Sequence, residues 1–187
     1  HTTVDPFSLL AHVIMALNGI VSRRLDPFEP AAVSIGIVNG GFAENVIPEK
    51  VTMKGTLRFT SLEVQKRIRE EVTRAFEIAK VFGGDYELRF EFGGLPLIND
   101  KYVSKVIEEV GKDLLGNDNV HEMHKTLGAE DFPEFLKNAP GAMYTIGTMI
   151  PGREVYELHH PKFDLDERAL PIGTAVLVET ALRFLKG

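Results

Sequence analysis

Between Asp5 and Gly94 the apolar residues switch between helical and strand spacing in a fixed order, and that order restricts the fold more than any other feature of the chain. Asp5-Pro6 is a helix start, an aspartate cap followed by a proline whose missing N–H costs nothing in the first turn. Leu9, Leu10, Val13, Ile14, Leu17, Ile20 and Val21 then recur at helical spacing to about Arg24, where Asp26-Pro27 and Glu29-Pro30 break the helix. Ala32 to Val38 reads as a strand closed by Asn39-Gly40-Gly41. Val51 to Thr60 reads as a second strand, in which Val51, Met53, Gly55, Leu57 and Phe59 alternate with Thr52, Lys54, Thr56 and Arg58. Ser61 caps a second helix, with Val64 standing where Glu or Gln would complete a capping box. Leu62, Ile68, Val72, Phe76 and Ile78 or Ala79 give its buried stripe, and Gly83-Gly84 stops it. Tyr86 to Phe92 alternates again, with Tyr86, Leu88, Phe90 and Phe92 on one face and Glu87, Arg89 and Glu91 on the other.

Helix, strand, strand, helix, strand is the ferredoxin-like order without its first strand. A four-stranded antiparallel sheet with both helices on one side follows if that strand lies before His1. The chain also opens on His1 rather than Met, with no charged leader, which leads us to expect a processed piece or a fragment of something longer. The connection GGFAENVIPE, between the two strands, is longer than a plain hairpin turn needs. It ends in an apolar Val46-Ile47-Pro48 anchor, as in loops built for a task.

Beyond Gly93-Gly94 and Pro96 the pattern changes. Asn99 opens a helix through Val103, Ile107, Val110 and Leu114 to Gly116. A polar strand or loop over Val120 to Lys125 leads to a helical turn ending at Leu136. Ala142 to Ile150 reads as a strand, and Asp166-Glu167 starts a last helix through Leu170, Ala175, Leu182 and Leu185. Helix, loop, strand, long loop, helix suits one side of a larger α/β sheet better than a complete domain. With 187 residues and 44% hydrophobic content the chain can build real cores. A formal charge of -6, from 21 basic and 27 acidic residues well mixed, leaves no electrostatic footprint for nucleic acid or an anionic membrane. The longest apolar runs are broken by His12, Asn18 and Gly36, short of the roughly 18 residues a bilayer span requires. The absence of cysteine removes disulfides, thiolate nucleophiles and cysteine metal ligands together, and fits the reducing cytoplasm we expect for it.

Chemistry concentrates in two segments. In LHHPKFDLDE, Leu158 to Glu167, Pro161 restricts the backbone of His160 and sets an imidazole at the end of a loop that leaves a strand, where open α/β proteins place ligands. A neutral imidazole there is a normal zinc ligand, and the competing reading is a histidine satisfied by neighbouring carboxylates. Adjacent histidines usually point different ways, so at most one of His159 and His160 is a ligand. Glu130 and Asp131 sit just before a short helix. They read either as simple caps of its exposed N–H groups or as carboxylates aimed into the cleft of His159. His12 reads as packing or surface, and His121 and His124 as a solvated loop.

GAEDFPEF, from Gly128 to Phe135, and LHHPKFDLDE together resemble the C-terminal signatures of the M20 metallopeptidase and amidohydrolase family. The branch includes N-acyl-amino-acid amidohydrolases, hippurate hydrolases, thermostable carboxypeptidases and auxin-conjugate hydrolases. HTTVDPF is similar to the segment entering that family's inserted dimerisation domain, and GGFAENVIPEKVTMKGTLRF to the domain's most characteristic run, so the resemblance covers essentially the whole chain. It implies an α/β enzyme. Residues 5–94 would form a ferredoxin-like α+β dimerisation or lid domain, and 1–4 with 95–187 the C-terminal part of a zinc-peptidase-like catalytic domain. It implies two divalent ions, usually zinc and otherwise manganese, nickel or cobalt, and a bridging water that attacks an amide carbonyl.

Position by position, His159 falls on the last metal ligand, and His160 on a supporting position where small polar residues are common. Glu130 falls on an acid lining the substrate site, with Asp131 structural beside it. Asn45 and Arg58 fall on lid residues that approach the substrate, Arg58 suited to a forked contact with a free carboxylate. Gly40 and Gly41 let the intervening loop turn tightly. The family's other ligands, its paired glutamates and its oxyanion histidine belong to sequence before the lid domain, and His1 falls on a later, non-catalytic histidine. The chain is therefore expected to be a C-terminal half that neither binds a dinuclear centre tightly nor hydrolyses anything alone. Its expected partners are a small N-acyl amino acid or peptide-like substrate, a second copy through 5–94 and the N-terminal catalytic half, with no nucleic acid and no membrane. The alternative is a non-enzymatic ferredoxin-like dimerisation or ligand-binding module.

Overall fold

A computed structural model describes residues 1–91 and 93–186. The chain separates into two units, one of residues 1–97 and 126–133, the other of residues 98–125 and 134–187.

The first unit begins with helix α1, Pro6–Arg24, whose Asp5 carboxylate accepts the Phe7 N–H at 2.9 Å. Leu9, Val13, Leu17 and Ile20 are its buried residues, and Leu10, Ile14 and Val21 flank them half-buried. By length and composition alone α1 could cross a membrane, but it lays this stripe into a protein core. Strands β1, Ala31–Gly40, and β2, Val51–Phe59, form an antiparallel ladder from Ala31↔Phe59 to Gly40↔Val51, with an irregularity between Ile35 and Ile37. Helix α2, Leu62–Phe76, starts where the Ser61 hydroxyl accepts the Val64 N–H at 3.1 Å, and a further turn, α3, covers Ile78–Val81 before Gly83 at φ 83°. Val13, Leu17 and Ile20 pack with Val64, Ile68, Val72 and Ala75, and against them lies one face of the ladder: Ala31, Val33 and Ile35 with Met53, Leu57 and Phe59. The Val, Leu, Ile, Met and Phe side chains among these contribute about 1.5–3 kcal/mol each when fully buried. The expected α2 stripe is corrected at its start, since Leu62 is exposed and Val64 is buried instead.

Tyr86 to Glu91 corrects a second expectation. Its burial alternates as the sequence requires, Tyr86, Leu88 and Phe90 half-buried and Glu87, Arg89 and Glu91 exposed, yet it forms no ladder with the described residues. Leu88 and Phe90 pack on the common core, and Tyr86 meets Phe76 with ring centroids 5.5 Å apart. Alternation reports which face is covered; a ladder needs a neighbour's N–H and C=O groups as well. Phe92, the last residue of that expected strand, lies outside the described residues.

In the second unit, helix α4, Lys101–Leu115, is capped by Asp100, whose carboxylate accepts from Tyr102 and Val103 at 2.9 Å. Asn99 does not open this helix. It bonds the backbone of Met143 in both directions, its amide nitrogen donating at 2.7 Å and its oxygen accepting at 2.9 Å. The expected strand at Ala142 to Ile150 forms no ladder with the described residues; its Met143 backbone bonds the Asn99 side chain, and its Thr148 carbonyl accepts the Asp166 N–H at 2.9 Å. A 3-10 turn at Asn117–Asn119, the short helix α5, Pro133–Leu136, and helix α6, Ala169–Lys186, complete the elements. Helix α6 begins after Asp166-Glu167 rather than on them, following the turn in which Ala169 N–H donates to Asp166 C=O. Helices α4 and α6 meet through the Arg183–Asp113 ion pair at 2.5 Å and an edge-on Tyr102–Phe184 contact.

Candidate functional site

The residues singled out above divide between the units. Gly40, Gly41, Asn45, Arg58, Glu130 and Asp131 belong to the first, His159 and His160 to the second.

In the first unit, Gly40 ends β1 against Val51 and Phe7, so close that a Cβ there would lie 2.5 Å from Val51 Cγ1. Gly41 has φ 75°, which glycine adopts without strain. The loop that follows carries Asn45 exposed, inside a turn closed by Val46 N–H donating to Ala43 C=O at 3.3 Å. Of the expected anchor only Pro48 is buried, while Val46 and Ile47 face solvent. Together with Phe7, this loop borders a shallow, open concavity. Arg58 lies opposite Ala32, on the β2 face away from the core residues Leu57 and Phe59. It is half-buried and makes no ion pair among the described residues. Glu130 and Asp131 are exposed ahead of α5, and the Glu130 carbonyl runs close to Gly94.

His159 is the one non-glycine residue at positive φ, 70°, among the described residues. Its neighbours explain the conformation. His160 N–H donates to Glu157 C=O at 3.1 Å, closing a turn whose third position is His159. With Leu158 on the ordinary side of φ, this is the type II pattern, which asks for Gly or Asn at that corner. None of the three acids downstream pairs with this imidazole. Asp164 pairs with Arg153 at 2.9 Å, Asp166 pairs with Arg168, and Glu167 starts the turn before α6. The Arg168 side chain, and then its backbone N–H, hold Asp166 down to a pKa of about 2. His159 itself is exposed and makes no hydrogen bond among the described residues.

His160 is engaged through one ring face and through Nδ1. Its ring stacks on Tyr156, with centroids 4.5 Å apart and planes within 12°, and its Nδ1 accepts the Lys162 N–H at 3.1 Å. The Tyr156 hydroxyl donates to Glu154 at 2.6 Å, which raises its pKa above the usual phenol value. Tyr156 and Lys162 were not singled out from the sequence; the signal available was a ring four residues ahead of a histidine whose next residue is proline. Among the described residues no three His, Asp or Glu side chains converge as a metal centre would require, so His159 fits a metal as a single donor and the chain's described residues do not complete a site.

Comparison with known proteins gives the family. Peptidase family M20/M25/M40 matches residues 13–183. IAA-amino acid hydrolase ILR1-like 2 of Arabidopsis thaliana is 32% identical over 98% of this chain and 43% of its own length. Thermostable carboxypeptidase 2 of Saccharolobus solfataricus is 32% identical over 98% of this chain and 47% of its own length. The crystal structure of the YXEP protein of Bacillus subtilis, described as a dinuclear metal binding peptidase of the M20 family, superposes with TM-score 0.78 at 30% identity, over 98% of this chain and 46% of that one. The chain thus spans about half the length of the curated relatives it matches. It belongs to peptidase family M20/M25/M40, with the α/β architecture of that family.

Proposed function

We propose that this chain is the C-terminal half of a dinuclear-metal-dependent amidohydrolase or carboxypeptidase that cleaves the amide bond of N-acyl amino acids or related small substrates. Residues 5–94 form its ferredoxin-like lid, which pairs with a second copy. Support for the lid comes from α1 and α2 sharing one face of the β1–β2 ladder, and from the alternating run Tyr86 to Glu91, which has the burial of a sheet strand and lacks a ladder neighbour. In the ferredoxin-like arrangement that last strand pairs with the first one, which would precede α1.

The observation that carries the proposal is His159, an exposed imidazole held at φ 70°, with Asp164 and Asp166 of the same run each taken by an arginine. Backbone strain of this kind, about 1–3 kcal/mol, persists where the surroundings impose it and clusters at functional sites. His159 serves as one metal ligand, and the remaining donors come from the N-terminal half of the enzyme. Zinc is the expected metal; the pair would supply Lewis-acid polarisation of the carbonyl and of the attacking water. Glu130, Asn45 and Arg58 face the substrate, Arg58 offering a free guanidinium to its carboxylate. Asp131 and the Gly40-Gly41 turn hold the segments that carry them.

The test is His159→Ala in the complete enzyme, followed by metal analysis and turnover. We expect loss of one metal equivalent and a fall in kcat/KM of at least about 100-fold, beyond the 10- to 100-fold typical of residues that only support a ligand. Unchanged stoichiometry and rate would refute the assignment.

A further inference from the structure

The geometry points to His160 as a positioning residue, which with Tyr156 locks the turn that presents His159; this rests on the reading of His159 as a ligand only for its consequence, not for its structure. His160 is the hinge of two consecutive turns. It closes the first by donating its N–H to Glu157 C=O at 3.1 Å, and it opens the second by accepting the Phe163 N–H on its own carbonyl at 2.9 Å. In the second turn Pro161 occupies the position where a fixed φ near -65° is favoured. The first position of such a turn is usually Asp, Asn or Ser, because a short side-chain acceptor can reach the N–H two residues on. His160 does this with a ring nitrogen: Nδ1 accepts from Lys162 N–H at 3.1 Å. An accepting Nδ1 leaves the proton of the neutral ring on Nε2, so the tautomer is set by the turn.

The second constraint is the stack. With the Tyr156 ring 4.5 Å away and nearly parallel, the imidazole has a face that Asn would lack, and Lys162 Nζ comes within 5.5 Å of the same Tyr156 ring. Arg153–Asp164, at 2.9 Å, ties the two ends of the loop together. Between Tyr156 and Lys162 the backbone is therefore fixed at both flanks of His159, and the left-handed conformation of His159 is the one that satisfies the Glu157–His160 closure. His160 acts through the backbone on its neighbour's side-chain direction and touches no substrate.

The prediction separates the acceptor from the stack. In the complete enzyme labelled with 15N-histidine, the intraresidue HN–Hα NOE of His159 reports positive φ, and release of metal to a chelator reports ligand geometry. His160→Asn keeps the acceptor and loses the stack, so it should retain most of the NOE and shift metal release only part of the way toward His160→Ala. His160→Ala should weaken the NOE and speed release of one metal equivalent by about tenfold, the lower end for a residue supporting a ligand. Tyr156→Phe should behave as wild type, and Tyr156→Ala should shift part of the way toward His160→Ala. An unchanged NOE in His160→Ala, or His160→Asn as impaired as His160→Ala, would overturn the inference. A weakened NOE with unaltered metal release would uphold the clamp and refute instead the assignment of His159 to the metal.

Discussion

Removing the charge of Glu71 should loosen the first unit by an amount that disappears in acid. Glu71 lies in α2 with 7% of its surface exposed, the one buried charged residue among the described residues. Its carboxylate receives Arg24 Nε from the end of α1 at 2.8 Å and Arg74 Nη1 from the next turn of α2 at 2.6 Å. Hydrogen bonds to charged groups contribute about 1.5–3 kcal/mol each when both partners are buried. Arg24 and Arg74 keep 50% and 62% of their side-chain surface in water, so solvent screening reduces that figure. We therefore expect Glu71→Gln, which keeps shape and an acceptor, to cost about 1–2 kcal/mol at pH 7.

The pH dependence follows from the direction of the carboxyl shift. The Arg24 hydrogen bond holds the Glu71 pKa below its ordinary value, against the opposing effect of burial. A carboxyl depressed in the folded state binds fewer protons there than in the unfolded chain, so its stabilisation is present above the unfolded pKa of about 4.3 and fades as pH falls through the folded one. Hydrogen exchange of the α2 amides reads the first unit separately from the second. Protection in Glu71→Gln should fall by about 5- to 30-fold at pH 7, and the deficit should shrink below pH 4. Arg24→Gln should produce part of the same loss, and the two losses should not add in the double mutant. Equal protection of wild type and Glu71→Gln at pH 7 would refute the reasoning, as would a deficit that persists undiminished in acid.

Two further substitutions test other parts of the first unit. Arg58→Ala in the complete enzyme should raise KM about tenfold for substrates with a free carboxylate, the equivalent of one charge-assisted contact; equal loss on the matching carboxamides would count against its role. Gly55→Ala should destabilise by about 1–3 kcal/mol, because its Cβ would lie 2.3 Å from the Ser34 carbonyl beside the Ile35–Ile37 irregularity, and urea unfolding at an unchanged midpoint would show that the ladder yields there.

Helices were legible because their burial repeats along the chain, and α1 and α4 start at or within a residue of their sequence signals. The error within α2 has the same origin: Leu62 and Val64 are about 200° apart around a helix, and only the packing partners decide which one faces the core. Strands were legible as faces and not as ladders. Tyr86 to Glu91 alternates faithfully, but no residue in it states what its backbone will pair with. Glu71 was invisible for a related reason, since a glutamate in α2 looks like any solvated position until Arg24, 47 residues away in sequence, is brought alongside it.

The LHHPKFDLDE run shows where such reading stops. Its proline announced a turn and its histidines announced chemistry, but the division of labour between His159 and His160 depends on φ angles and hydrogen bonds that no spacing encodes. At the third corner of the Glu157–His160 turn, Gly would avoid the left-handed strain of about 1–3 kcal/mol. Selection for stability alone would therefore not place an imidazole there. Nor does an ion pair recommend it, because Arg153 and Arg168 occupy Asp164 and Asp166, and His159 makes no ion pair among the described residues. On the proposal that His159 is a metal ligand, an imidazole held in a strained corner and exposed to solvent has a physical account, because the binding energy of the ion would offset the backbone strain.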